Sequence, residues 1–252
     1  MLFSCSTSCI PERDPESVVR VLPDIDTDCF ELFLFNHWST KELHHICAGY
    51  PFFSVHGSKK LCFILEEDRH AGETLLKEEI ILASTVEAST LVLHSYNSLN
   101  RTPDLNRVAK TVSSMQEVAE EYSVSLSLEL IPHVTISIPA LAAFFNSHLE
   151  DPHFTIDLEY TSKYRCLDEV LTYAASINNV HVRDYNGEWI INGKRNYLKP
   201  LDGTLDFDAI FSRIAESHYN STYTLEAPHK TVEEINTSMR WLRTSVKTHT
   251  NL

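Results

Sequence analysis

Glycine is scarce in this chain, with only six among 252 residues. No glycine-rich loop of the kind that cradles phosphates is present, and no G-x-G-x-x-G fingerprint occurs, so the common nucleotide-binding turns are absent. Basic residues are also few. Twenty-one Lys and Arg face thirty-five Asp and Glu, for a formal net charge of −14. Such a surface repels a phosphate backbone, whose binding rests on Lys and Arg contacts, so nucleic acid is a disfavoured partner. None of the six cysteines stands in a Cys-x-x-Cys pair, and most lie in apolar runs. They read as reduced core thiols of a cytoplasmic protein, not as a zinc finger or a redox pair. No run reaches the roughly 18 apolar residues of a membrane span. The first residues, Met1 to Cys5, lack the basic segment of a signal peptide. No low-complexity segment or linker divides the chain, which reads as one domain over 1–252.

What is present is a core-forming composition, 43% hydrophobic and 22% charged, with strand and helix signals in alternation. Strands are predicted over 2–6, 30–35, 52–56, 90–94, 124–130, 154–158, 179–182 and 223–226. Helices are predicted over 15–22, 40–48, 73–88, 104–122, 138–146, 167–176, 206–217 and 231–246. Asp206 suits a helix cap, and Thr231 with Glu234 forms a capping-box pattern. Alternating strands and helices imply parallel strands joined by helical crossovers. Eight units in about 250 residues point to an α/β fold, a single closed (β/α)8 TIM barrel. An open sheet would more often carry a glycine-rich first turn.

Strand phase locates the chemistry. Alternate residues of a strand face opposite sides. Val124, Leu126, Leu128 and Leu130 share one face and Ser125, Ser127 and Glu129 the other. Phe154, Ile156 and Leu158 oppose Thr155 and Asp157; Val180 and Val182 oppose His181; Tyr223 and Leu225 oppose Thr224 and Glu226. With apolar faces under the helices, the inner faces end in Glu129, Asp157, His181 and Glu226, near the carboxyl ends where barrels build their sites. Three carboxylates and one imidazole in a buried mouth are costly without a counter-charge. A divalent cation supplies one. Oxygen-rich ligation with a single nitrogen suits Mn²⁺, Mg²⁺ or Co²⁺, with Zn²⁺ also admitted.

The segments "LSLELIP", "FTIDLEY", "VHVRD", "LKPLDGTLDF" and "YTLEAP", in that order, resemble the xylose isomerase-like TIM-barrel superfamily, and within it the sugar phosphate isomerases and epimerases. The resemblance implies that Glu129, Asp157, His181 and Glu226 are metal ligands. It also implies a reaction: the metal chelates a carbonyl and its neighbouring hydroxyl, and Glu129 and Glu226 exchange a proton as base and acid through an enediolate. His56 and His94, at the ends of the third and fourth strands, would bind substrate hydroxyls. Arg183 would meet an acidic substrate group, and Asp184 would orient His181 or a loop. A small sugar or sugar phosphate is the implied substrate, without nucleic acid or membrane as partner, and a homo-oligomer is admitted.

The chain departs from the pattern at Tyr160, which stands as a substrate-binding residue where family members often carry a second histidine. The related apurinic endonucleases use an Asp-x-His pair after the seventh strand, and the stretch 194–197 here supplies none, which leaves an apurinic endonuclease-like DNA repair enzyme as the least favoured alternative. Two other readings share the site: a dehydratase acting on an inositol-type keto sugar, and a barrel that binds a sugar without turnover. His44 and His45 read as solvated residues of a surface helix.

Overall fold

Parallel hydrogen bonding joins eight strands into a ring in the computed structural model, which describes residues 1–47, 49–94 and 103–250. The barrel strands are β1 (Leu2–Ser6), β2 (Cys29–Phe33), β3 (Phe52–His56), β4 (Thr90–His94), β5 (Ser125–Glu129), β6 (His153–Asp157), β7 (Ile177–Val182) and β10 (Thr222–Leu225). A short antiparallel hairpin, β8 (Ile190–Ile191) and β9 (Lys194–Arg195), stands apart from the ring. The helices are α1 (Pro15–Val21), α2 (Thr40–Ile46), α3 (Lys59–Glu67), α4 (Arg69–Thr85), α5 (Leu105–Glu121), α6 (Ile138–His148), α7 (Leu158–Lys163), α8 (Leu167–Leu171), α9 (Phe207–Glu216) and α10 (Val232–Thr250). The ring closes where β1 pairs with β10, Ser4 lying beside Thr224. Each parallel step needs a crossover, and the helices supply it.

The alternation read from the sequence is the alternation of the structure. Leu126, Leu128, Phe154, Ile156, Val180, Val182, Tyr223 and Leu225 are all buried in the apolar core. Their sequence neighbours form a polar ladder across the strands. Ser127 Oγ meets Thr155 Oγ1 at 2.7 Å, and Thr224 Oγ1 donates to Asn179 Oδ1 at 2.7 Å. Small hydroxyl and amide side chains satisfy one another there, so the buried polar groups cost little. Parallel register then sets the rim: His94 lies beside Glu129, and Asp157 beside His181.

Caps fix several helix starts. Asp206 accepts from Ala209 N, and Thr231 Oγ1 accepts from Glu234 N. Glu234 reaches back to Lys230 N instead of the cap residue's own amide. The helix expected over 73–88 starts earlier, because Asp68 accepts from Ala71 N and caps α4. The segment before it is a helix in its own right, α3, and α7 was likewise not expected. The end of the helix expected over 40–48 lies outside the described residues. The two histidines of α2, His44 and His45, lie in its last turn, half-buried and exposed. All six cysteines are buried free thiols. Among the described residues, no helix is long and apolar enough to cross a membrane.

One buried acid sits outside the barrel mouth. Glu79 of α4 is 1% exposed and accepts from the Ser58 hydroxyl and, at 3.2 Å, from Ser58 N. Burial pushes its carboxyl up to about 7, against the lowering effect of the Ser58 bonds. The folded protein therefore holds a proton there that the unfolded chain releases near pH 4.5. Stability is expected to fall as pH rises between those values and to stay reduced above them. Glu79→Gln removes the ionisation, so the stability of the variant relative to wild type should grow by roughly 3 kcal/mol from pH 5 to pH 8. Urea midpoints of the two proteins at both pH values check this; a difference independent of pH would show that Glu79 is ionised throughout.

Candidate active site

The carboxyl ends of β5, β6, β7 and β10 bring four of the sequence-predicted residues to one point. Glu129, Asp157, His181 and Glu226 each offer a ligand atom, and these atoms lie within 4.8 Å of one another. All four side chains are buried. Glu129 and Glu226 both face His181 Nδ1, at 3.5 and 3.2 Å. Their strands are separated in the ring by β6 and β7, so the two carboxylates approach that point from different sides.

His181 is held from behind by a residue that strand phase did not single out. Glu31 of β2, fully buried, places Oε2 3.1 Å from His181 Nε2. The same oxygen accepts from Ser54 Oγ at 2.9 Å and from Asn179 Nδ2 at 3.3 Å. With Nε2–H donated to Glu31, Nδ1 is the nitrogen turned toward the carboxylates. A carboxylate behind an imidazole is the usual way a ligand histidine is fixed in tautomer and orientation. Glu31 sits inside the apolar run 30–35, and its partner is 150 residues away, so only its isolation among hydrophobic neighbours marked it.

His56 and His94 both turn to Glu129. His56 Nδ1 donates to the Gly57 carbonyl at 3.0 Å, and its Nε2 lies 3.3 Å from Glu129 Oε2. His94 Nε2 lies 2.5 Å from the same oxygen. Against burial, which opposes ionisation, His94, His181 and His56 together hold the Glu129 carboxyl well below its ordinary range. Glu226 is likewise held low against burial, by Arg183 and His181. Asp157 goes the other way: burial pushes it up to about 7, with Arg183 opposing and the Glu159, Glu226 and Glu129 charges adding to the rise.

Arg183 is committed within the protein. It contacts Asp157 Oδ2, and lies 3.1 Å from Glu159 Oε2 and 3.3 Å from Glu226 Oε2. Arg195 of the hairpin shares Glu159 at 2.5 Å. Tyr160 does not join the cluster of ligand atoms. Its ring lies 5.1 Å from the Arg183 guanidinium carbon and 5.4 Å from the Trp189 ring, in a cation–π layer over the mouth. Asp184 orients a loop and not His181. Its two carboxylate oxygens accept from the amides of Tyr185, Leu201, Gly203 and Leu205. A Cβ on Gly203 would run into that carboxylate, so the covering segment 198–207 needs glycine there.

The donor set suits a cation. Five buried carboxylates, Glu31, Glu129, Asp157, Glu159 and Glu226, stand against two guanidinium groups, Arg183 and Arg195, and the His181 imidazole, which against burial is pushed up by Glu31 and Glu226. Two like charges within 4.8 Å of one another repel by at least roughly 3 kcal/mol at an effective dielectric near 20. Asp157 Oδ2, Glu226 Oε2 and His181 Nδ1 are buried and make no hydrogen bond, although Arg183 lies close to the two oxygens. Buried ligand atoms converging within 4.8 Å, in a cluster whose carboxylates outnumber its cations, fit a divalent ion.

Comparison with known families agrees with this architecture. The family model described as xylose isomerase-like TIM barrel matches residues 28–245. The chain belongs to the xylose isomerase-like TIM barrel family. Solved structures similar to this family member include a D-tagatose 3-epimerase-like protein, with a TM-score of 0.77 and 18% identity over 100% of this chain and 99% of that one. An L-ribulose 3-epimerase has a TM-score of 0.77 and 14% identity over 98% and 95% of the two chains. A protein called IOLI, with a zinc atom bound, has a TM-score of 0.71 and 12% identity over 99% and 98%. At these identities the likeness is one of fold. No curated protein sequence matches the chain.

Proposed function

We propose that this family member is a divalent-metal-dependent isomerase or epimerase of a small sugar. The observation that carries the reading is the convergence of Glu129, Asp157, His181 and Glu226, all buried, with ligand atoms within 4.8 Å of one another. Glu129, Asp157, His181 through Nδ1, and Glu226 would hold the ion. The mainly oxygen donor set favours Mn²⁺, Mg²⁺ or Co²⁺ and admits Zn²⁺, the ion present in one structural relative. A divalent ion at this point polarises a substrate carbonyl and acidifies the adjacent C–H.

The protein's own groups supply the proton traffic. Glu129 and Glu226 stand on different sides of His181 Nδ1. The ionised one takes the proton from the carbon next to the carbonyl, and the other, once it has taken up a proton from solvent, returns it from its own side. Return to the same carbon from the opposite face is epimerisation; return to the neighbouring carbon is isomerisation. His56 and His94 keep Glu129 ionised and ready as a base. Arg183, at the end of the neighbouring strand β7, lies 3.3 Å from Glu226 and holds its carboxyl low. Two of the structural relatives are called a 3-epimerase and a 3-epimerase-like protein, which supports proton transfer at carbon as the reaction class.

The test is isotope exchange. The purified protein, with its metal content measured, is incubated with a panel of ketoses and aldoses in heavy water. Deuterium should enter the carbon next to the carbonyl of at least one sugar, with close to one metal per chain. No stoichiometric metal together with no exchange would leave a sugar-binding barrel without turnover. Exchange followed by loss of hydroxide would assign the dehydratase chemistry instead.

A further inference from the structure

The walls above the barrel mouth reverse the charge of the rest of the chain. A cavity of about 300 Å³ opens over Glu226, and a second hollow of about 440 Å³ shares Lys59 and Tyr197 with it. Together they carry five cations, Arg13, Lys59, Lys163, Arg183 and Arg195, against one carboxylate, Glu226. In a chain of net charge −14, this is a local concentration of positive charge around the site.

Arg183 and Arg195 are neutralised by the buried carboxylates below them. Arg13 and Lys59 are not: among the described residues, neither has a carboxylate within 4.0 Å. Both rest on aromatic rings of the cavity wall. The Arg13 guanidinium lies 5.2 Å from the Phe35 ring centre and the Lys59 ammonium 5.8 Å from that of Phe33. An aromatic face positions a cation without cancelling its charge. Arg13 is further fixed through Nη1, which donates to the Ile10 and Glu12 carbonyls. Its other N–H groups make no hydrogen bond to the described residues. Lys59 is the first residue of α3, so the positive end of that helix adds to its charge. Asn36, which lines the same cavity, accepts from Lys60 N and joins the β2 loop to this helix start.

Building on the reading of the mouth as a sugar site, we propose that Arg13 and Lys59 form an anion subsite, and that the substrate carries an oxyanion, a phosphate monoester or a carboxylate, at the end away from its reacting carbonyl. Guanidinium and ammonium donors lining one cavity are suited to such a group. The neutral part of the sugar then spans from this pair to Glu226 within one cavity. The same charges draw an anionic substrate past the acidic surface of the protein.

Binding of small probes tests the subsite whether or not turnover is found. The full-length protein is titrated by calorimetry with glycerol 3-phosphate, glycerate and glycerol. The two anions should bind, more weakly as salt is raised, and glycerol should not. Lys59→Met and Arg13→Met should each weaken anion binding about tenfold, Lys59→Arg should retain most of it, and Lys77→Met, an exposed lysine of α4, should change nothing. Tighter binding of glycerol 3-phosphate assigns the phosphate, and tighter binding of glycerate the carboxylate. If neither anion binds, or if both bind as well to Lys59→Met and Arg13→Met as to wild type, the proposal is overturned. Metal content and deuterium exchange with neutral sugars are read separately, so loss of the subsite leaves the metal-site reading standing, and the reverse.

Discussion

Glu129→Gln and Glu226→Gln should each lower deuterium exchange on the responsive sugar by about a thousandfold or more. Loss of a positioned acid or base alone costs about a hundredfold to ten-thousandfold. Here each substitution also replaces a charged oxygen ligand with a neutral one. An amide can neither take nor return the proton, and its NH₂ group, placed where Glu129 Oε2 lies, would meet the two histidines that face that oxygen. The variants should still fold, because Arg183 keeps Asp157 and Glu159, and His181 keeps Glu31. Thermal melts check that point. Exchange within tenfold of wild type in either variant would remove that glutamate from the chemistry.

Glu31→Gln should weaken divalent-metal binding by about ten- to a hundredfold, the usual cost of losing the group behind a ligand histidine. Glu31 never reaches the ligand cluster; it acts on His181 Nε2 and is itself braced by Ser54 and Asn179. A glutamine in its place keeps the shape and loses the charge. Competition for Mn²⁺ against a chromogenic chelator measures the change without reference to turnover. A simple strut would give unchanged metal affinity with a lowered melting temperature. A positioning role gives lowered affinity, and excess metal should then restore much of the exchange rate.

The barrel and the four converging residues were legible because both are written in strand alternation. An inner face of Ser127, Thr155 and Thr224 opposite Leu128, Ile156 and Tyr223 admits one phase, and the strand ends follow from it. What lay beyond reach were partnerships across the ring. Glu31 carries no local signal of His181, and Arg13 and Lys59 share a cavity only after β1, β2 and β3 are packed together. Helix α3 was obscured by the charged run 66–70, which interrupts apolar periodicity where Asp68 ends one helix and caps the next. The hairpin that delivers Arg195 to Glu159 had a readable mark. Asn192 and Gly193 sit at φ of 52° and 76°, the left-handed pair favoured in a two-residue hairpin turn. Tyr160 and Arg183 were placed at the correct end of the barrel, but their stacking on each other depends on Trp189 and Tyr197 from the same distant hairpin region.

The most direct measurement of the central claim is an anomalous difference map from crystals of the protein soaked in Mn²⁺. A single strong peak should lie roughly 2.0–2.3 Å from an oxygen of each of Glu129, Asp157 and Glu226 and from His181 Nδ1, with His181 Nε2 still on Glu31. No peak among these four side chains at saturating metal, or coordination through His181 Nε2 with Glu31 displaced, would contradict it.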